Sequence, residues 1–333
     1  MKRKFRVCVV GCGVISGNHI PSLQKLDNVE IVALCDVNRS RAEARKAQFE
    51  LTATKIYESY ETMLDELKPD AVHLLTPHYL HTEMTLAALS RDINVFLEKP
   101  TCIKLEDIEK LKDAEKNSNA RVCVSFQTRY NETVQKAKEI VDRDGGALNG
   151  FGTVVWNRSD DYYAADAWRG KWETEGGGAM INQAIHTVDL LCFFLGKPQK
   201  IQASIATMRH SPAVEVEDTC NLIIDFDGGK RANVLVTTTF GGQDATTLHI
   251  ETKNSVIEIR NADIYVNSEK LETQKIGEYM GKKCYGNSHE IIIEKFYGAL
   301  TDGTEMPVSI ESSADAVKII LSAYRSNSKV INI

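Results

Sequence analysis

The sequence predicts an α/β protein in two parts: a doubly wound parallel sheet, then a domain built on an open, mainly antiparallel sheet. Three observations predict it. Short apolar runs alternate with amphipathic segments up to about residue 125, longer strands of alternating polarity dominate afterwards, and a Gly-x-Gly turn separates the first apolar run from a helical stretch. A chain of 333 residues suits two domains better than one, with an expected division into 1–125 and 126–333.

In the first part the apolar runs are Phe5–Val10, Val29–Asp36, Lys55–Tyr57, Asp70–Leu75, Asn94–Glu98 and Arg121–Ser125. Between them lie amphipathic stretches such as Ser40–Phe49, Thr82–Ser90 and Leu105–Asn117. After residue 125 a helix over Glu132–Asp142 stops at Gly145-Gly146. Strands are then expected over Gly152–Asn157, Lys200–Thr207, Thr219–Phe226, Ala232–Phe240, Thr246–Thr252 and Val256–Arg260, with Asp227-Gly228-Gly229 as a hairpin turn. Two tail helices, His289–Leu300 and Ser312–Tyr324, precede a short strand Val330–Ile333. The absence of repeats and low-complexity linkers implies closely packed domains with a cleft. One sheet face should cover helices; the other should keep Val236, Thr238 and Phe240 for a self-contact, giving a homodimer or homotetramer.

Composition narrows the class. Hydrophobic residues at 43% and charged residues at 26% describe an ordinary globular chain with material for two cores. A net charge of -6 disfavours nucleic acid or an anionic membrane as partner, since both need clustered Lys and Arg. No apolar run is long enough for a membrane-spanning helix. The eight cysteines include no CxxC pair and sit mostly in apolar patterns, as expected of buried thiols in the cytoplasm with no metal centre.

Gly11-Cys12-Gly13-Val14-Ile15-Ser16 follows the first strand and opens a helix. The first glycine allows the tight turn, and the second lets the backbone approach a pyrophosphate at the helix N-terminus. Ser16 replaces the third glycine of the pattern. The second strand ends in Asp36, at the spacing of the acid that binds the adenosine ribose. Its carboxylate favours NAD and repels a 2′-phosphate. Arg39 and Arg41, just beyond, leave NADP open.

Two further pieces carry chemistry. Strand Asn94–Leu97 runs into Glu98-Lys99-Pro100, which places a lysine at the carboxyl end of a parallel strand, where ligands bind; a solvated Lys99–Glu98 pair is the plain alternative. In Gly176–Leu195 the apolar residues Ile181, Ala184, Ile185, Val188, Leu191, Cys192 and Leu195 form one helical stripe, and Asn182, His186 and Asp189 another. Asp189 is the only charge in that stretch, so the helix must be buried on most sides, and a buried polar stripe needs partners. A substrate supplies them in one reading, an internal His186–Asp189 pair in the other.

With these motifs in place the chain resembles the glucose–fructose oxidoreductase/inositol dehydrogenase (Gfo/Idh/MocA) family over nearly its whole length. The matching pieces are Gly11–Ser16, Asp36, Thr76-Pro77 with His81, Glu98-Lys99-Pro100, Gly176–Gly178 through His186 and Asp189, and Tyr285–His289. The resemblance implies a Rossmann domain, NAD, and hydride transfer at a secondary hydroxyl of a sugar, glycoside, sugar nucleotide or cyclitol. By the same resemblance Lys99, His186 and Asn182 are catalytic, with His186 exchanging the hydroxyl proton and Lys99 touching substrate oxygen and nicotinamide side. Gly11, Gly13, Val14, Ile15, Asp36, Arg39, Thr76, Pro77, His81, Glu98, Gln127, Trp168 and Arg169 would meet the cofactor. Arg129, Asn157, Tyr163 and Tyr285 would join Lys99, Asn182 and His186 around the substrate. Many members carry Asp at the position of Asn182; a neutral Asn182 orients a hydroxyl without taking its proton, and an Asp there would raise the pKa of His186. Two other functions use the same residues: an NAD-dependent lyase or glycosidase working by transient oxidation, and a non-catalytic NAD-binding regulator.

Overall fold

A computed structural model describes residues 4–210, 214–242, 244–274 and 287–333. Tyr285, an expected substrate contact, lies outside them. The chain divides into two compact units, the first of residues 1–102, 106–125 and 289–312, the second of 103–105, 126–288 and 313–333. Residues 289–312 thus return to the first unit from the far end of the chain.

In the first unit, strands β1 (Phe5–Val10), β2 (Val29–Cys35), β3 (Lys55–Tyr57), β4 (Ala71–Leu74), β5 (Asn94–Leu97) and β6 (Val122–Val124) alternate with helices α1 (Ser16–Gln24), α2 (Arg39–Gln48), α3 (Tyr60–Leu67), α4 (His81–Leu89) and α5 (Leu105–Lys116). The strands pair in parallel in the order β3-β2-β1-β4-β5-β6, the doubly wound arrangement. Strands buried on both faces need continuous apolar runs. Val7, Cys8, Val9, Val72, Leu74, Val95 and Leu97 are accordingly fully buried. Asn38 caps α2 through the Ser40 amide and Ser59 caps α3 through that of Thr62.

The second unit holds α6 (Glu132–Arg143), β7 (Ala147–Val155), α7 (Asp160–Ala164), α8 (Ile185–Leu195), β8 (Pro198–Ala206), β9 (Thr219–Phe226), β10 (Arg231–Thr237), β11 (Ala245–Thr252), β12 (Val256–Arg260), β13 (Asp263–Val266) and β14 (Glu269–Leu271). Helices α9 (Ser288–Asp302) and α10 (Ile310–Ser326) and strand β15 (Ile331–Asn332) complete the chain. The described strands form one sheet in the order β14-β13-β12-β11-β7-β10-β9-β8-β15, antiparallel except for β7 with β10. Gly228 and Gly229 take φ of 75° and 77° in the expected hairpin turn between β9 and β10. Helix α8 lies close on β7: a Cβ at Gly150 would sit 2.6 Å from Leu191, and one at Gly152 2.5 Å from Thr187. Only glycine admits that approach.

The open sheet face differs from expectation. Val236 and Thr238 are fully buried, while Phe240, beyond the strand, is exposed. Strand side chains alternate faces, so the outward residues of β10 and β9 are the intervening ones, Leu235 and Ile223, accompanied on β7 by Phe151.

Candidate active site

The glycine loop is built around Gly11 and Asp36. Gly11 has φ of +92°, and a Cβ there would lie 2.5 Å from the Leu75 carbonyl oxygen. No atom lies within 4 Å of a Cβ placed on Gly13, so the backbone there is open to an approaching ligand. Ser16 Oγ donates to the Gly13 carbonyl at 2.6 Å, and Arg45 Nη2, from α2, donates to the same oxygen at 2.7 Å. The hydroxyl thus takes over the space of the third glycine and ties the loop to its helix. Val14 is 70% exposed and Ile15 half-buried at the start of α1. Asp36 accepts the Cys12 amide on one carboxylate oxygen and the Asn38 amide on the other, both at 2.8 Å. Each oxygen keeps a second lone pair for a ribose hydroxyl. Arg39 is engaged elsewhere, by Glu43 at 2.9 Å and Glu58 at 3.4 Å.

At the carboxyl end of β4, the Thr76 hydroxyl is buried with no hydrogen-bond partner. An orphaned hydroxyl beside the glycine loop fits a polar cofactor group. Pro77 begins the short turn that leads to α4. His81 stands behind this layer: its ring nitrogens face the Pro100 carbonyl at 2.6 Å and the Thr76 carbonyl at 2.9 Å, and burial lowers its pKa. It braces the two loops against each other.

Lys99 is half-buried just after β5. Its neighbour Glu98 is buried, 3.0 Å from His19 Nε2 and 3.6 Å from His289 Nε2. Burial works against the Glu98 charge, but the two imidazoles hold its pKa well below the carboxylate range. Behind His19 stands His73, at 2.9 Å between Nδ1 atoms, and behind that the Tyr297 hydroxyl at 2.9 Å from His73 Nε2. Protons directed from Tyr297 to His73 to His19 to Glu98 satisfy each of those bonds. His19, Glu98 and His289 are donors of the kind a divalent metal uses, but the hydrogen-bond chain accounts for the His19–Glu98 contact without one.

In the second unit the glycine run Gly176–Gly178 leads into a π-helical turn, Met180–Ala184, before α8. Such turns recur at functional sites because they re-aim side chains within a helix. His186 is buried, with Nδ1 3.4 Å from Thr128 Oγ1 and its ring edge-on to Phe126. Asp189 does not pair with His186. It accepts Arg129 Nε at 2.8 Å and Nη2 at 2.5 Å, a buried bidentate ion pair that fixes α8. Arg129 is therefore a structural anchor in this unit; Gln127, two residues earlier in the same short turn, is also buried.

Asn182 Nδ2 donates to Glu175 Oε1 at 2.6 Å and to Tyr162 Oη at 3.3 Å. Arg158 and Arg169 stack on Tyr162 with guanidinium carbons 5.1 and 4.5 Å from its ring centre, and Arg169 also covers Trp168 at 4.5 Å. Tyr162, not Tyr163, is the aromatic beside Asn182. Tyr163 packs with Val214 and Val216, its hydroxyl 3.3 Å from Thr238 Oγ1. Asn157 is exposed, and its amide donates to Asp244.

Beneath the glycine run, buried Glu217 accepts the Gly178 and Met180 amides at 2.7 and 2.8 Å and the Tyr324 hydroxyl at 3.1 Å. Burial raises its pKa to about 7 in spite of these donors. The unfolded value is lower, so the folded chain binds the extra proton between the two. This stabilisation is complete below about pH 4 and lost as pH rises through about 7. Thermal unfolding followed across that window should show stability from this group falling with pH, and Glu217→Gln should flatten the slope.

Thr128, Glu175 and Arg45 escaped sequence reasoning. Only Arg45 had a usable signal, a basic residue on the helix after Asp36.

Two family descriptions match the chain: an oxidoreductase family with an NAD-binding Rossmann fold, Gfo/Idh/MocA, over residues 5–126, and the Gfo/Idh/MocA C-terminal domain over 134–257. D-apiose dehydrogenase of Paraburkholderia graminis is 25% identical over 229 residues, covering 68% of this chain and 59% of that protein. Inositol 2-dehydrogenase of Salmonella typhimurium is 27% identical over 229 residues, covering 65% of each. The matches thus span about three fifths of those relatives' length. Among solved structures, the WlbA dehydrogenase from Bordetella pertussis in complex with NADH and UDP-GlcNAcA is similar with a TM-score of 0.89, 27% identity, and coverage of 100% of this chain and 99% of that one. No helix among the described residues is long and apolar enough to cross a membrane.

Proposed function

We propose that this chain, which belongs to the Gfo/Idh/MocA family of oxidoreductases, is an NAD-dependent dehydrogenase acting on a secondary hydroxyl of a sugar, glycoside, sugar nucleotide or cyclitol. The observation that carries the reading is the polar face of a buried helix, Asn182 and His186, in a chain that also has the Gly11–Asp36 dinucleotide frame and Lys99 at a strand end. Relatives named D-apiose dehydrogenase and inositol 2-dehydrogenase, and the similar WlbA dehydrogenase in complex with NADH and UDP-GlcNAcA, support it.

NAD, when bound, accepts the hydride. The chain's own residues do the rest. His186 takes the hydroxyl proton at Nε2 if its Nδ1–H donates to Thr128 Oγ1, the tautomer that leaves Nε2 as a base. The Lys99 ammonium stabilises negative charge developing on the same oxygen. Asn182 orients the substrate. Asp36 and the Thr76 hydroxyl hold the cofactor, and the Gly11–Gly13 backbone supplies the room for its pyrophosphate. Screening NADH formation against polyols, glycosides and nucleotide sugars tests the reading; no turnover with any of them sinks it.

Asp36 sets cofactor choice, and Arg39 is engaged by two glutamates rather than held ready for a phosphate. Calorimetry should find NAD bound more tightly than NADP; equal affinity would shift the decision to Arg41. We also propose a homodimer or homotetramer, formed through the open sheet face with Phe151, Ile223 and Leu235. Light scattering that returns the monomer mass at micromolar concentration would refute it.

A further inference from the structure

We propose that Arg45 is a positioning residue for the cofactor pyrophosphate: it holds back the Gly13 carbonyl so that the next amide, that of Val14, faces the phosphate oxygens, and it backs that amide with a positive charge. The proposal rests on the dinucleotide reading above and gives a role to a residue that reading leaves unused.

Arg45 reaches the glycine loop from α2. Its Nη2 donates to the Gly13 carbonyl at 2.7 Å and its Nη1 to Gln48 Oε1 at 2.6 Å. Ser16 Oγ donates to the same carbonyl at 2.6 Å. A carbonyl oxygen has two lone pairs, so both are taken. The peptide between Gly13 and Val14 is trans, and a trans peptide points its C=O and its N–H in opposite directions. Holding the Gly13 oxygen toward Ser16 and Arg45 therefore turns the Val14 N–H away from them. That amide donates to no group among the described residues, and a Cβ placed on Gly13 meets nothing within 4 Å. Two donors on the carbonyl also polarise the peptide unit and strengthen its N–H as a donor.

Charge points the same way. Arg39, on the same helix, faces Glu43 and Glu58, whereas Arg45 meets no carboxylate among the described residues. Its guanidinium lies 3.6 Å from a Cβ placed on Gly17, in the first turn of α1. The N-terminus of a helix is the positive end of its macrodipole, so a cation beside it is disfavoured unless an anion joins the two. A pyrophosphate is such an anion. The contact of Arg45 is with Gly13, while Asp36 marks the ribose, so the guanidinium serves the pyrophosphate and not a 2′-phosphate.

Wild type, Arg45→Ala and Arg45→Lys test this by calorimetry with NAD and ADP and by NMR titration with adenosine. Arg45→Ala should bind NAD and ADP ~10-fold more weakly. It should bind adenosine as wild type does, because adenosine carries no phosphate. Its NAD affinity should also depend less on salt, since one charge has left the site. Arg45→Lys keeps the charge and one donor and should recover most of the loss. In turnover, KM for NAD should rise in Arg45→Ala with kcat unchanged. Unaltered NAD affinity in Arg45→Ala overturns the proposal. An equal loss of ADP and adenosine also overturns it and leaves Arg45 a structural brace. Weaker NADP binding with NAD spared overturns it too, making Arg45 a reader of the 2′-phosphate. In each of these cases wild type still binds NAD, and the dinucleotide reading stands. A wild type that binds neither NAD nor ADP ends both.

Discussion

Lys99→Ala and His186→Ala should each cut turnover by ~10²–10⁴-fold, the usual worth of a positioned acid–base or charge-stabilising group. The two losses differ in kind. Under the proposed mechanism, removing His186 deletes the proton acceptor from a buried helix face whose neighbours, Thr128 and Phe126, stay in place. Its defect should ease when pH rises, since hydroxide then replaces the base. Under the same proposal, removing Lys99 deletes the charge assigned to the alkoxide, and raising the pH should not restore it. Circular dichroism and NAD calorimetry on both variants separate lost chemistry from lost fold. Near-normal turnover in either variant removes that residue from its assigned role.

Arg129→Ala should be the most destabilising single change in the second unit, by ~3–5 kcal/mol, because it leaves the buried Asp189 carboxylate without its bidentate partner. Asp189 lies on α8 one turn after His186, so the loss should also loosen the helix that carries the base. Denaturant unfolding measures the first effect. Replacing both partners, Arg129→Leu with Asp189→Leu, should recover much of the stability, since apolar groups carry no desolvation cost. Little loss in Arg129→Ala would mean that Asp189 finds another donor or is protonated.

The parallel sheet was legible because burial on both faces forces continuous apolar runs, and every strand of that sheet was read within about a residue or two at each end. Helix α3 was passed over: Tyr60, Met63, Leu64 and Leu67 make its buried face, but eight residues give little periodicity. Strands β13 and β14 were missed because their turn uses Asn267 and Ser268 at φ of 50° and 71°, without the glycine that marks such a turn. The outward face of β10 was read one residue out of step, which exchanges the two faces of a strand.

At the site, the spacing of Gly11 and Asp36 was legible, and the two meet through the Cys12 amide; the expected stripe of Asn182, His186 and Asp189 is broken by the π-helical turn and by the Arg129–Asp189 pair. Pairings across the chain did not show. Arg129 with Asp189, and Glu98 with His19 and His289, join residues far apart in sequence. Tyr162 and Tyr163 are adjacent, and only tertiary packing decides which one turns to Asn182 and which to the core.

Strand β7 lies at the centre of its sheet, yet Asn149 pairs with Arg231 on one side and Glu251 on the other. During synthesis this strand leaves the ribosome well before either neighbour exists. Its two edges stay unsatisfied until β10 and β11 arrive, and its inward Val154 has no sheet to join. The nascent chain is therefore most exposed to mispairing and chaperone capture over this interval. Truncations ending between β7 and β10 should be insoluble, whereas the hairpin of β9 and β10 can close locally as soon as it is made.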